Sequence, residues 1–515
     1  MFRSPRREFL SQVGRGMLVA TLGPAVSADL GMSLARAEDI GDRLTFGDRE
    51  ELVDFLQSTP PDRMLREVVA RVRQGTSLRE IISAAALANG RAFAGEDYIG
   101  FHTLMALRPA LMMAEESPSE LAPLPVLKVL YRNSSRIQEA GADAHDGLHP
   151  TSGGEAQPGS AAIREAVHRG DRAAAERSLA ASIAGSPEAG FNALLDTVYD
   201  GVEVHRVVLV SRAWDMLSLV GREHADTMLR QSLRYCLQHE PKAAQYYAPL
   251  RELLPRLVDE YRLDRQDWGS RDPGNDWVQS FMATLWTSTP AQAAEATAAA
   301  LRDGIAPARI FEAVALMSNQ LLLCDAGRPP EWTGPGKPEG SVHGDSVGVH
   351  SSDATHAWRQ IALAADTRQR NLALLLAAFH AAQDRSSRNA EFAAWQPRPW
   401  PEHLERVASD SPGMLLDELR RAIEANDQEL ACAVTARYGT TGGTAEPLFG
   451  MFRDYAISED GALHAEKYFY TVRDNFRTSA PQFRWRHLTA LARVTASEYG
   501  RPAPGYEDAC GLLQG

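Results

Sequence analysis

LREVVARVRQGTSLREIISAAALAN (residues 65–89) decides the fold. It reads as two amphipathic helical segments broken at Gly75-Thr76, with Ser77 as the N-cap of the second. AAEATAAALRDGIAPARIFEAVALMSN (293–319) has the same form and breaks at Gly304 in the same place. Runs of Ala, Leu, Glu and Arg favour helix. Alternating Val/Ile/Thr stretches, which would announce strands, are almost absent. The pattern predicts an all-α protein of two duplicated helical halves, related by a pseudo-twofold axis. Segment lengths suggest about six to eight helices in each half.

Further matches carry histidines. YIGFHTLMALRPA (98–110) pairs with SVGVHSSDATHAW (346–358), placing His102 opposite His350. AIREAVHRGDRAAAERSLA (162–180) pairs with ELRRAIEANDQELACAVTA (418–436). Each of these leads to another histidine, His205 in GVEVHRVVLV and His464 in GALHAEKYFY. Residues related by a twofold axis can converge, so His102, His205, His350 and His464 are the expected metal ligands. Neutral imidazole binds transition metals and transfers protons near pH 7. Helical bundles build such sites from side chains on facing helices. Gly100 and Gly348, two residues before their histidines, would admit backbone or ligand at the helix start.

Other residues join at lower rank. His356 aligns with Arg108, and His380 aligns near Asn133; both are second-tier catalytic candidates. Asp196 and Glu203 lie near His205 and could orient its second nitrogen. Asp215 and Asp474 occupy matching places and read as solvated helix faces. His145, His149 and His343 fall in loops and are expected to be exposed.

The chain has 515 residues and a net charge of −13. Domains are expected at 38–262 and 275–502, with a C-terminal tail at 503–515. The connecting YRLDRQDWGSRDPGNDW is polar and linker-like. Two loops interrupt the halves. DAHDGLHPTSGGEAQPGS (143–160) reads as flexible, and AGRPPEWTGPGKPEGSVHGDS (326–346), just ahead of His350, reads as a lid or an idle insertion. An acidic balance argues against nucleic-acid and anionic-membrane partners. No apolar run after residue 37 reaches the roughly 18–20 residues of a membrane span. Cys236, Cys324, Cys432 and Cys510 form no CxxC or CxxCH motif, which speaks against a cysteine zinc site and a c-type haem. Cys236 and Cys432 read as core residues.

At the start of the chain, Ser4-Pro5-Arg6-Arg7-Glu8-Phe9-Leu10 is followed by the apolar GMLVATLGPAV and by Ala35-Arg36-Ala37. This resembles the bacterial twin-arginine (Tat) export signal, with cleavage after Ala37. The resemblance implies passage through the Tat translocase, a periplasmic or otherwise exported location, and folding before export, often around a cofactor. Residues 1–37 hold five arginines and two acids, so the remainder is more acidic still.

No HExxH or Glu-x-x-His pattern accompanies the four histidines, so a carboxylate di-iron bundle is disfavoured. No GxGxxG or phosphate loop is present. The leading expectation is an exported, histidine-ligated metalloprotein, an oxidoreductase acting on a small-molecule substrate. Its cofactor would be a transition metal, Fe or Cu favoured, or haem b, lying between the halves. The rivals are a cofactor-free enzyme with His102 or His350 as general base, and a non-enzymatic scaffold or binding protein with core histidines.

Overall fold

The computed structural model describes residues 43–141, 147–388 and 396–514. Residues 1–37, the export-signal resemblance, lie outside the described residues, as does His145. The described chain is all-α; no strand occurs in it beyond isolated bridges such as Arg271 with Ile305.

The first eleven helices are α1 (Glu50–Ser58), α2 (Pro61–Arg73), α3 (Leu78–Phe93), α4 (Tyr98–Glu115), α5 (Pro123–Ala140), α6 (Ser160–His168), α7 (Arg172–Gly185), α8 (Pro187–Val198), α9 (Val204–Val220), α10 (Ala225–Tyr246) and α11 (Ala248–Tyr261). Then follow α12 (Asn275–Thr287), α13 (Pro290–Arg302), α14 (Pro307–Cys324), α15 (Val347–Ala364), α16 (Thr367–Arg388), the short α17 (Pro401–Glu405), α18 (Pro412–Glu424), α19 (Gln428–Thr440), α20 (Glu446–Ser458), α21 (His464–Thr478), α22 (Pro481–Glu498) and α23 (Tyr506–Gln514). Among the described residues, the stretches on either side of residues 262–274 therefore each hold more helices than the six to eight expected. The extra boundaries come from local chemistry that segment length does not reveal. Proline opens α8 and α13 just after a capping residue and opens α22 without one, and Gly221 and Arg262 end α9 and α11 at positive φ.

The deciding stretch folds as read. Gly75 turns the chain at φ +104°, and Ser77 with Glu80 forms a reciprocal capping box. Helix α4 packs on α3 and α5, as α15 packs on α14 and α16. Helix α9 packs on α10, as α21 packs on α22. Four helices meet at the centre in a closed ring: α4 touches α9, α9 touches α15, α15 touches α21, and α21 returns to α4.

Several loops differ from expectation. Residues 147–159, read as flexible, are docked: Leu148 is fully buried and donates its N–H to the Arg91 carbonyl, and Arg230 donates to the His149 carbonyl. The linker is pinned by Asn371 of α16, which donates to the carbonyls of Leu263 and Gln266 and accepts from Trp268. The end of the 326–346 insertion is packed as well, with Ser341, Val342 and His343 buried, while residues 330–336 are exposed. His343, expected to be exposed, lies against Arg501, and His149 is half-buried. Cys236 and Cys432 are core residues, and no disulfide forms among the described residues. Among the described residues no helix is long and apolar enough to cross a membrane.

Candidate metal centre

Each of the four histidines sits in the first turn of one central helix: His102 in α4, His205 in α9, His350 in α15 and His464 at the head of α21. The local sequence fixes those helix starts. Asp97 caps α4 by accepting from Gly100, and Ser346 caps α15 by accepting from Val349. Glu203 caps α9 by accepting from the N–H groups of His205 and Arg206. Leu463 opens α21 from the left-handed region, at φ +65°, without a side-chain cap.

The four helix starts bring the imidazoles together. His102 Nε2 and His205 Nε2 are 3.1 Å apart, and His350 Nε2 and His464 Nε2 are 3.3 Å apart. Ring centroids close the circuit at 5.0 Å between His102 and His464 and 5.6 Å between His205 and His350. Ligand atoms of His102, His205 and His464 all lie within 4.8 Å of one another. His102 and His464 are buried, while His205 and His350 are half-buried.

Proton placement is set by the outer nitrogens. His102 Nδ1 lies 2.7 Å from the Tyr98 carbonyl, His205 Nδ1 2.5 Å from Glu203 Oε1, and His464 Nδ1 3.1 Å from the Ala462 carbonyl. Carbonyls and an ionised carboxylate only accept, so each of these Nδ1 atoms carries a proton, and the Nε2 atoms of the buried His102 and His464 present lone pairs. Burial first, and then the charge of Lys467, hold His102 and His464 well below the usual histidine range. Burial and then the neighbouring His205 push His350 down to about 3. Burial would raise Glu203, but the His205 imidazole and the Tyr235 hydroxyl, donating at 2.7 Å, outweigh it and hold its carboxyl well below the carboxylate range. The Nε2 atoms of the four rings thus converge, those of His102 and His464 as lone pairs.

Other candidates are placed elsewhere. Asp196 pairs with Arg368 at 2.6 Å and does not orient His205; Glu203 alone does. His356 contacts Asp474 at 3.1 Å, and its aligned partner Arg108 contacts Asp215 at 3.5 Å. Both aspartates, read as solvated faces, are therefore half-buried members of corresponding pairs. His380 neither ends its helix nor joins the cluster: it accepts from Trp358 Nε1 at 3.2 Å in the buried middle of α16. Gly100 and Gly348 serve packing. A Cβ at Gly100 would meet the Phe93 ring at 2.6 Å, and one at Gly348 would meet Leu322 Cα at 2.5 Å.

A second histidine–carboxylate group, His168, Asp200 and Glu240, is already neutralised. Arg164 holds Asp200 at 2.5 Å and Arg251 holds Glu240 at 2.9 Å, so little charge remains for a cation. Sequence reasoning missed Lys467, buried one turn beyond His464, and Gly344. A Cβ at Gly344 would fall 2.0 Å from His464 Cβ, so the 326–346 segment borders the cluster.

His380 supports a pH prediction. Burial pushes it down to about 4, whereas an unfolded chain's histidine titrates near 6.5. Between those values only the unfolded state binds the proton. This contribution is complete above about pH 6.5 and lost as pH falls towards 4, at most about 3 kcal/mol. Urea unfolding between pH 7 and pH 4.5 should show a shallower decline for His380→Asn than for the parent chain. Equal slopes would refute the assignment.

Comparison with known proteins finds no matching family model, no matching curated protein and no matching solved structure.

Proposed function

We propose that this protein is an exported metalloprotein that binds a transition ion through His102, His205, His350 and His464, and that it is an oxidoreductase. One observation carries the reading: four imidazoles turn their Nε2 atoms towards one another in the interior, those of His102 and His464 as lone pairs, an arrangement that a shared cation would satisfy. The spacing agrees. A tetrahedral ion with bonds of about 2.0–2.1 Å sets its nitrogens about 3.3 Å apart. A haem iron between two axial imidazoles would need about 4 Å, with a clear slab for the porphyrin, so the 3.1 and 3.3 Å contacts favour an ion over haem b. An all-nitrogen ligand set suits Cu and Fe, and also Zn, Ni or Co. Redox chemistry and the periplasmic location are supported by the export-signal resemblance, which implies folding, often around a cofactor, before passage through the Tat translocase.

Elemental analysis of the chain purified without chelator or affinity metal tests this. One equivalent of transition metal per chain is expected. A chain that carries none, and takes up none of Fe, Cu, Zn or Co after dialysis, would end the proposal. The orienting carboxylate gives a finer test. Glu203→Gln removes the charge that polarises His205 and should weaken metal binding about 10–100-fold in competition titrations with a chelator. An unchanged affinity would leave Glu203 as a helix cap only.

The 2.5 Å contact between Glu203 and His205 also favours a second reading, a cofactor-free enzyme with His205 as an oriented general base. Turnover that survives exhaustive chelation would select it.

A further inference from the structure

Phe191 of α8, Trp214 of α9 and Ile361 of α15 wall a cavity of about 410 Å³ towards the far end of the central helices. Trp214 stands nine residues past His205, which is about 13 Å along α9 at 1.5 Å per residue. Leu363 stands thirteen residues past His350 on α15. The cavity is therefore separate from the histidine centre. Ser211, Trp214, Asp215 and Ser218 follow one another at helical spacing, so one face of α9 lines it.

Size and wall suit a small organic molecule. Sites for such molecules measure about 300–1,000 Å³ and are mostly apolar, with a few placed polar groups. The Phe191 and Trp214 rings stack at 4.3 Å and 26°, which backs the indole with a second flat ring. Leu363, 59% exposed, carries the apolar wall out to solvent.

Two polar groups on the α9 face are left over. Ser211 is 3% exposed, and among the described residues its buried hydroxyl has no hydrogen-bond partner. Asp215 Oδ2 is buried and accepts no hydrogen bond either. Buried polar atoms are ordinarily bonded, so both need an explanation. A hydroxyl group placed between them would accept from Ser211 and donate to Asp215. Charge is already balanced: Arg108 Nε lies 3.5 Å from Asp215, and Arg222 is paired with Glu188. The cavity therefore favours a neutral ligand.

A like cavity between α4, α20 and α21 shows the contrast. Arg473 stands nine residues past His464, where the first cavity has Trp214. Glu115 and Glu116 stand thirteen and fourteen past His102, in the places of Leu363 and Ala364. There Arg473 lies 3.1 Å from Glu116 and 3.0 Å from Glu446, with its guanidinium 4.3 Å from the Phe449 ring centroid. The second cavity satisfies its own polar groups; the first has an aromatic and aliphatic wall in their place.

We infer that the cavity between α8, α9 and α15 binds a neutral aromatic molecule bearing a hydroxyl group, with the ring against Trp214 and the hydroxyl between Ser211 and Asp215. The site is independent of the histidine centre and of any metal held there.

Fluorescence polarisation of 2-naphthol, its methyl ether and 2-naphthoate, each titrated with the full chain, provides the test. 2-Naphthol is expected to bind at one site per chain. The methyl ether, which cannot donate, and the anionic naphthoate should each bind at least about tenfold more weakly. An ether or a naphthoate that binds as tightly as 2-naphthol would overturn the proposal, and so would a chain that binds none of the three. A chelator should leave 2-naphthol binding unchanged; loss of binding on chelation would place the probe at the histidine centre and overturn the assignment. Ala364→Trp fills the cavity and should weaken 2-naphthol at least about tenfold. Leu363→Arg, at an exposed position that leaves the core intact, should weaken it at least about threefold. Parental affinity in Leu363→Arg and Ala364→Trp would show that the probe binds elsewhere.

Discussion

His464→Ala is expected to abolish stoichiometric metal, lowering affinity by more than 100-fold. His464 is the corner through which the ring closes: its Nε2 is 3.3 Å from His350 Nε2, and its ring centroid is 5.0 Å from that of His102. Loss of an orienting group alone costs about 10–100-fold in comparable sites, so loss of a ligand should exceed that. The imidazole is also buried, so its removal leaves a small void and frees the Ala462 carbonyl, at a cost of about 1–3 kcal/mol. Stability loss by itself does not discriminate between a ligand and a core residue. A matched control does: His487 is equally buried, at 2%, and lies outside the ring. Metal content measured after gel filtration should fall in His464→Ala and stay at one equivalent in His487→Ala. Equal metal content in the two variants would sink the ligand assignment.

Gly344→Ala should be nearly as damaging to the centre, through packing. The added Cβ would sit 2.0 Å from His464 Cβ, a separation that no relaxed pair of carbons adopts. Either the 341–346 segment lifts or the first turn of α21 moves. The first choice breaks the hydrogen bond from Gly344 N–H to Glu498, 2.8 Å long, and the second displaces His464. Overpacking of this kind costs about 1–3 kcal/mol. Site geometry tolerates only about 0.5 Å, so metal affinity should fall more than tenfold as well. Gly450→Ala is the counterpart. It lies within α20, meets nothing within 4 Å, and should stabilise the chain by about 0.5–1 kcal/mol. Urea unfolding with metal titration on both variants checks the contrast. A Gly344→Ala chain with parental metal affinity would show that the insertion does not press on the site.

Residues 65–89 show how far local pattern reaches. The apolar period, the Gly75 break and the Ser77 cap act within a few residues of chain, and all appear in α2 and α3. The four histidines were legible for a different reason. They stand at matched positions of the stretches paired in the sequence, and three of them follow a locally written helix cap. Glu203 was legible too, standing two residues before His205 in the same turn.

Other residues were misread because their surroundings come from distant chain. His343 sits in a Gly- and Pro-rich stretch that reads as exposed, yet Arg501 and the end of α22 cover it. Asp196 looked like a partner for His205 and is taken by Arg368, across the halves. Lys467 gave no signal, since a lysine one turn from a histidine on an amphipathic helix is ordinarily solvated. Gly344 gave none either, because only the passage of one segment over another makes its missing side chain necessary.

The sequence by itself determined the helical class, the helix starts and the four histidines, because periodicity and capping are short-range interactions. Tertiary structure alone decided that the four imidazoles turn their Nε2 atoms inward and that Lys467 and Arg212 are buried. Those outcomes depend on how α4, α9, α15 and α21 close into a ring, which buries some charges and satisfies others across long separations in the chain.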